Sequence, residues 1–158
     1  KWLPNYSIRL GEGGDSRFYS VRNGLKGVDG PGIVAIHDAV RPCVSTRLIN
    51  AGFEAASVHK SAIAAVALKD SIREKSGITT ISRDRSNYYL VQTPQTFDNK
   101  LLKKAYEQPH NISFTDDASV VAYDGHEVHL IEGSYKNIKI TTEGDLYLAQ
   151  LFLSMNLV

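Results

Sequence analysis

The sequence has a single cysteine, Cys43, so no disulfide can form within the chain and nothing points to a secreted, cross-linked scaffold. It lacks a strong charge of either sign. Eighteen Lys and Arg against seventeen Asp and Glu leave a formal net charge of +1, too little to predict nucleic-acid binding from charge alone. No run approaches the ~20 apolar residues of a membrane span. The opening KWLPNYS has no apolar segment of the kind a signal peptide carries. Internal repeats and low-complexity linkers are missing as well. These absences lead to the expectation of a cytoplasmic globular protein with no membrane or nucleic-acid partner. With 158 residues, 42% of them apolar, one domain with a real core is expected.

Strand-like and helix-like stretches alternate along the chain. Gly32 to His37 follows the turn cluster GVDGPG as a β-branched and apolar run, suited to a strand buried on both faces. Ser45 to Val58 has helical spacing of Leu48, Ile49, Phe53 and Ala56, with Ser45 as N-cap. Ala62 to Leu68 reads as a second buried strand. Tyr88 to Gln92 reads as a third, ended by Thr93-Pro94. Asn99 to Glu107 and Asp116 to Tyr123 read as helices, the latter opened by Thr115 as N-cap and two acids that favour the helix dipole. Val128 to Ile131 and Asn137 to Ile140 read as strands. Thr142 to Met155 is the last helix, with Thr142 and Asp145 at capping-box spacing. Such alternation argues for an α/β fold with a mostly parallel sheet. The polar stretch from Lys69 to Asn87 fits no core element and reads as a protruding hairpin or arm.

The chemistry-bearing residues gather where strands end. IVAIHDAVRP closes an apolar run with His37, Asp38 and Arg41. In open α/β sheets ligands bind just beyond the carboxyl ends of strands. A carboxylate there could hold Mg²⁺, which takes one or two carboxylates and completes its shell with phosphate oxygens and water. A guanidinium could clasp a phosphate. A capped turn with a surface ion pair explains the same residues about equally well. GGDSRFYSVRNG enters a helix through a Gly-rich turn and could present backbone N–H groups to a nucleotide. Taken singly, an ordinary turn accounts for Thr93 in QTPQTF, capping for Thr115 in FTDDAS, and solvation for Lys139 in KNIKIT.

Together, IHDAVRP, DSIR, DRSNYYLVQTPQTF, FTDDASVV, HLIEGSYKNIKIT and GDLYLAQ stand in the order and approximate spacing of the 2-C-methyl-D-erythritol 4-phosphate cytidylyltransferases. The resemblance runs from about Arg9 to Leu151 and extends to the ribitol 5-phosphate cytidylyltransferases. It implies a Rossmann-like nucleotidyltransferase fold and transfer of CMP from CTP to a sugar-alcohol phosphate with release of pyrophosphate. By position, Asp38 resembles the Mg²⁺ ligand, with Arg41 and Lys139 as phosphate-contacting catalytic groups. Gly14, Asp15, Ser20 and Ala39 resemble the cytidine-binding group. Ser71, Arg85, Thr93 and Thr115 resemble the substrate-binding group, with Ser71 standing where the family usually has Thr. The resemblance further implies a homodimer in which the arm carrying Arg85 reaches the partner subunit. His37 is expected to be structural, because an already ionised acceptor phosphate needs no general base.

Two departures stand out. Nothing in KWLPNYSIRLG resembles the family's Gly-rich triphosphate loop with its arginine and lysine, so the first strand and the CTP loop are expected to be missing from the sheet. Thr142-Glu143-Gly144-Asp145 replaces the usual Thr-Pro-Glu-Asp helix start. A non-catalytic α/β module that dimerises or binds ligand is the reading outside the enzyme class.

Overall fold

A computed structural model describes residues 8–155 and 157. The stretch 1–7, which bears on the signal-peptide and triphosphate-loop expectations, lies outside the described residues. The chain forms α1 (Arg17–Leu25), β1 (Ile33–Ile36), α2 (Thr46–His59), β2 (Ser61–Ala67), β3 (Ile72–Ser76), β4 (Thr79–Arg83), a 3₁₀ turn (Arg85–Asn87), β5 (Tyr89–Asp98), α3 (Asn99–Ala105), α4 (Asp117–Tyr123), β6 (Leu130–Glu132) and α5 (Glu143–Ser154).

The main sheet has the order β1-β5-β2-β6. β5 runs antiparallel to both β1 and β2, and β6 runs parallel to β2. Three strands therefore point one way and the fourth, β5, opposes them from the middle. β2 is buried along its length except for Ala67, as its unbroken apolar sequence requires. β1 is only half-buried, not enclosed on both faces, because it is an edge strand. Among the described residues nothing pairs with its outer side.

Strand alternation distributes the helices. Thr96 points to α2, where its hydroxyl lies 2.9 Å from where a Cβ on Gly52 would be, so glycine lets helix and sheet close up. Phe97 points the opposite way, into a core built with Phe18, Leu25, Ile63, Leu102, Tyr106 and Val121. Phe18 of α1 stacks on Tyr106 at 4.8 Å and on Phe114 at 5.6 Å, which fixes α1 against the α3–α4 side.

Two strand expectations need correction. β5 does not end at Thr93-Pro94 but continues to Asp98, through a cis Thr93–Pro94 bond. The β2–β5 register shifts between Ile63 and Ala65, so Pro94, with no N–H to donate, falls where the ladder is already interrupted. Residues 137–140 form no strand. One backbone bond, from Ile140 N–H to the Val40 carbonyl at 2.8 Å, ties them to the turn after β1. The alternation of half-buried Ile138 and Ile140 with exposed Lys139 holds without a ladder.

The polar stretch forms an exposed hairpin, β3–β4, turning at Gly77 with φ of 62°. Arg73 bonds Thr80 and Arg83 pairs with Glu74 across it. Its base runs into an exposed apolar strip, Tyr88, Tyr89, Leu90 and Val91.

Gly133 closes the sheet beyond β6. Its N–H donates to the Ala65 carbonyl at 2.8 Å, and a Cβ there would lie 2.6 Å from Gln92 Oε1 and 3.0 Å from the Ala65 carbonyl oxygen. Gly133→Ala is expected to cost about 1–3 kcal/mol by overpacking and to lower Tm by about 2–12 °C, measurable by calorimetry.

Candidate functional site

A cleft of about 230 Å³ opens beyond the carboxyl end of β1, lined by Arg17, Asp38, Arg41, Gln92, Thr93, Gln95, Thr115, Asp116 and Lys139 among others. A larger hollow, about 640 Å³ along β2 and β6, is mainly apolar and holds no comparable charge cluster.

The turn after β1 aims Asp38 into the cleft. Arg41 N–H donates to the Asp38 carbonyl at 2.9 Å and closes the turn. Asp38 N–H donates to Thr93 Oγ1 at 3.0 Å. His37 joins the same chain of bonds, with Nδ1 3.1 Å from Thr93 Oγ1 and Nε2 3.1 Å from the Arg41 carbonyl. A carbonyl can only accept, so Nε2 carries a proton toward Arg41, and Nδ1 shares a hydrogen bond with the Thr93 hydroxyl. His37 thus holds the turn together, as the structural expectation had it.

Three cations surround the Asp38 carboxylate. Lys139 Nζ is at 3.2 Å, and the Arg17 and Arg41 guanidinium nitrogens are each at 3.6 Å. Burial pushes the Asp38 carboxyl up, but Lys139, Arg17 and Arg41 outweigh it and hold it below the usual carboxylate range. Burial acts on Arg41 too, and its guanidinium is lowered from the ordinary arginine value despite Asp38.

A buried amide network shapes the opposite wall. Asn137, fully buried, donates to the Thr93 carbonyl at 2.8 Å, and its own carbonyl accepts from Arg41 Nη1 at 2.8 Å. Gln92 bonds both Ser134 N–H and the Ser134 carbonyl. Asn137 therefore seats Arg41 and places Lys139 two residues on. Gln95 donates to Asp116 Oδ2 at 2.8 Å and accepts from Ala118 N–H at 2.9 Å, which pins the start of α4 to β5.

The structure corrects the reading of FTDDAS. Asp116, not Thr115, is the N-cap, in a reciprocal capping box with Ser119. Asp117 stands in the first turn of α4, where an acid favours the helix dipole, but it is not solvent-exposed. It is fully buried, taking Arg17 Nη2 on one oxygen and the Tyr106 hydroxyl on the other, both at 2.5 Å.

Of the residues singled out from sequence, Asp38, Arg41, Thr93, Thr115 and Lys139 meet in the cleft. Gly14, Asp15, Ser20, Ala39, Ser71 and Arg85 do not line it. The Gly14 N–H, expected to face a nucleotide, donates instead to Ser20 Oγ at 3.0 Å, and Asn23 bonds the Gly13 carbonyl. Ser20 is thereby committed to folding the loop onto α1. A Cβ on Gly14 would lie 2.4 Å from that of Tyr19, so only glycine allows this loop. Arg85 bonds the Lys69 carbonyl at the base of the hairpin, where Ser71 is also exposed. Sequence reasoning missed Arg17, Gln95 and Asn137. An arginine in the first turn of a helix with no acid beside it opposes the helix dipole, and that was the available clue for Arg17.

Comparison with known proteins decides the family. The model of the 2-C-methyl-D-erythritol 4-phosphate cytidylyltransferase (IspD) family matches residues 2–155. The chain belongs to this family. A 2-C-methyl-D-erythritol 4-phosphate cytidylyltransferase from Bacteroides fragilis is 49% identical over 146 residues, covering 91% of this chain and 66% of that protein. One from Porphyromonas gingivalis is 44% identical, covering 98% of this chain and 70% of its own. Among solved structures, the 4-diphosphocytidyl-2C-methyl-D-erythritol synthase of Anaerococcus prevotii superposes with a TM-score of 0.85 at 32% identity, covering 96% of this chain and 74% of that one. The Thermus thermophilus cytidylyltransferase gives 0.81 at 31% identity, with 96% and 78% covered. The chain thus spans about two thirds of the length of its Bacteroides fragilis relative. The likeness to these IspD structures settles the nucleotidyltransferase fold expected from sequence.

Asp38 offers a pH test of this geometry. Its folded value is lowered, so its contribution to stability is full above the unfolded value of about 3.9 and is lost as pH falls through the lower folded value. Lys139→Gln removes one stabilising cation. The Asp38 carboxyl is then expected to titrate at higher pH, read from its carbon NMR shift, and an unchanged titration would show that Lys139 does not act on it.

Proposed function

We propose that this chain carries the reaction centre of an enzyme that transfers CMP from CTP to 2-C-methyl-D-erythritol 4-phosphate and releases pyrophosphate, in isoprenoid precursor synthesis. The observation that carries this reading is the Asp38 carboxylate, ringed by Lys139, Arg41 and Arg17 at a strand end beside the Thr93 turn. A phosphoryl acceptor and a nucleoside triphosphate are both anions. Bringing them together requires fixed positive charge and exact placement far more than a nucleophilic side chain.

In the step, an oxygen of the acceptor phosphate forms a bond to the α-phosphorus of CTP, and the bond from that phosphorus to the β-phosphate oxygen breaks. Pyrophosphate leaves with the electron pair. Lys139 and Arg41 neutralise the charge that builds on the transferred group. Thr93 and Thr115 orient the acceptor, while Asp15 and Ala39, outside the cleft lining, form the cytidine-facing side on a loop that the Gly14–Ser20 bond holds in shape. No proton has to be removed from the nucleophile, which suits a His37 committed to hydrogen bonds on both nitrogens.

Asp38 fits a magnesium ion as its one protein carboxylate, with phosphates and water as the remaining ligands. Among the described residues no group of three His, Cys, Asp or Glu is suited to an all-protein cage. When bound, Mg²⁺ would supply charge neutralisation at the phosphate oxygens.

The working form is a homodimer in which Arg85 and Ser71 of the hairpin serve the site of the second copy. Their absence from the cleft lining and the exposed strip Tyr88, Tyr89, Leu90 and Val91 at the hairpin base support this. A cytoplasmic setting is part of the same proposal. The lone cysteine is buried and unpaired, and no helix among the described residues is long and apolar enough to cross a membrane.

The test is CTP-dependent pyrophosphate release by the intact protein with methylerythritol phosphate, and with ribitol phosphate in parallel. Turnover with the former is expected to fall at least 100-fold in Asp38→Ala. Mixing Asp38→Ala with Arg85→Ala subunits is expected to restore part of it, because one of the mixed dimer's two sites is then whole. A folded protein that binds CTP and turns over neither acceptor would favour a binding module.

A further inference from the structure

Asp117 is a fully buried carboxylate for which the reaction itself has no use. It lies at 0% exposure in α4, with one oxygen 2.5 Å from Arg17 Nη2 and the other 2.5 Å from the Tyr106 hydroxyl. Tyr106 is itself buried, against Phe18. A buried charge persists only when it is paired and hydrogen-bonded, and this one has both. Its cation, by contrast, is not enclosed. The Arg17 side chain keeps 35% exposure and lines the cleft.

Arg17 therefore faces two carboxylates unequally. It grips Asp117 at 2.5 Å and stands 3.6 Å from Asp38, beyond hydrogen-bond distance. Its position at the first residue of α1 sets it against the helix dipole, with no acid in that turn to compensate. A guanidinium has five N–H donors. Asp117 occupies the inner side of the group and leaves donors directed at the cleft. A surface clip between α1 and α4 would need neither the buried tyrosine nor the open side.

We propose that Arg17 is a phosphate-contacting residue of this site, and that Asp117 and Tyr106 are positioning residues that hold its guanidinium in place from the core. The ligand class is a phosphoryl group of the nucleotide or its pyrophosphate product. This rests on the cytidylyltransferase reading for its biological role, but the phosphate contact can be tested apart from it. When phosphates and a cation engage Asp38, Arg17 gives up only its long contact there. The anchor on Asp117 remains, so the positive charge stays in place with no rearrangement, as preorganised electrostatic sites require.

The experiment titrates magnesium pyrophosphate into the intact protein by calorimetry, with Tm measured alongside. Arg17→Gln strands the buried Asp117 and can fail by misfolding, so the decisive variant is the pair Arg17→Gln with Asp117→Asn. That pair removes both charges together and keeps hydrogen-bonding shapes. Its Tm is expected to recover most of what Arg17→Gln loses, while pyrophosphate affinity stays about 10- to 100-fold weaker, the scale of a lost charge-assisted hydrogen bond. Tyr106→Phe, which leaves both charges, is expected to weaken pyrophosphate several-fold and to lower kcat more than it raises KM for CTP. Lys104→Gln removes an equal charge outside the cleft lining, from an exposed lysine paired with half-buried Asp124, and is expected to change neither. Pyrophosphate affinity that recovers with Tm in the paired variant would overturn the proposal and leave Arg17 a structural clip. So would failure of the unmodified protein to bind pyrophosphate. If the unmodified protein binds pyrophosphate through Arg17 but makes no cytidylylated product, the reaction assignment fails and this inference stands.

Discussion

The Asp38 carboxylate must remain ionised in a half-buried cleft, and the surrounding structure is arranged around that requirement. Burial alone would favour its neutral form. Lys139, Arg41 and Arg17, drawn from three separate parts of the chain, reverse that preference. Each cation needs its own support. Arg41 rests on the Asn137 carbonyl, Arg17 on buried Asp117, and Lys139 on a segment seated by the Asn137 side chain. The Thr93 hydroxyl fixes the other side by accepting the Asp38 N–H while sharing a hydrogen bond with His37. A site for anionic substrates thus takes shape before any substrate arrives, which removes reorganisation cost from the reaction.

The fold serves this arrangement through one antiparallel strand. β5 lies between β1 and β2 and carries Gln95 opposite Ile36, the last residue of β1, with Thr93 and Gln92 beyond it. Had β5 stopped at Thr93, as the proline suggested, Gln95 could not reach Asp116 and the start of α4 would lose its tie to the sheet. The interruption in the β2–β5 ladder is where the polar side chains of β5 face the cleft and the Asn137 segment instead of a neighbouring strand.

Much of this was legible in the sequence because local rules and the global fold agree there. Ser45 caps α2 by accepting from Leu48 N–H, and Thr142 with Asp145 makes the capping box that its spacing announced. The apolar run of β2 is the buried centre of the sheet. Asp38 and Arg41 were marked by their place at a strand end, where α/β sheets bind ligands, whereas Thr93, Thr115 and Lys139 were assigned through the family resemblance, because taken singly each has an ordinary structural explanation. The misses share a different cause. Residues 137–140 alternate like a strand, yet a buried asparagine side chain and one backbone bond hold them in place of a ladder. Of the two acids in FTDDAS, one caps and the other is buried, and only the tertiary position of Tyr106 and Arg17 separates them. Ser20, read as a nucleotide contact, spends its hydroxyl on the Gly14 loop. Side chains that support others across long sequence separations leave no periodic trace.

The most direct test of the central role given to Asp38 is manganese binding, followed by electron paramagnetic resonance, in the intact protein with CTP present. The account predicts one Mn²⁺ held per chain in the presence of CTP, and loss of that binding in Asp38→Asn, which stays folded with a lower Tm because the carboxylate's pairing with three cations is gone. Equal Mn²⁺ binding by the unmodified protein and Asp38→Asn would contradict it, and would place the metal and the transferred phosphate somewhere other than the cation-ringed carboxylate.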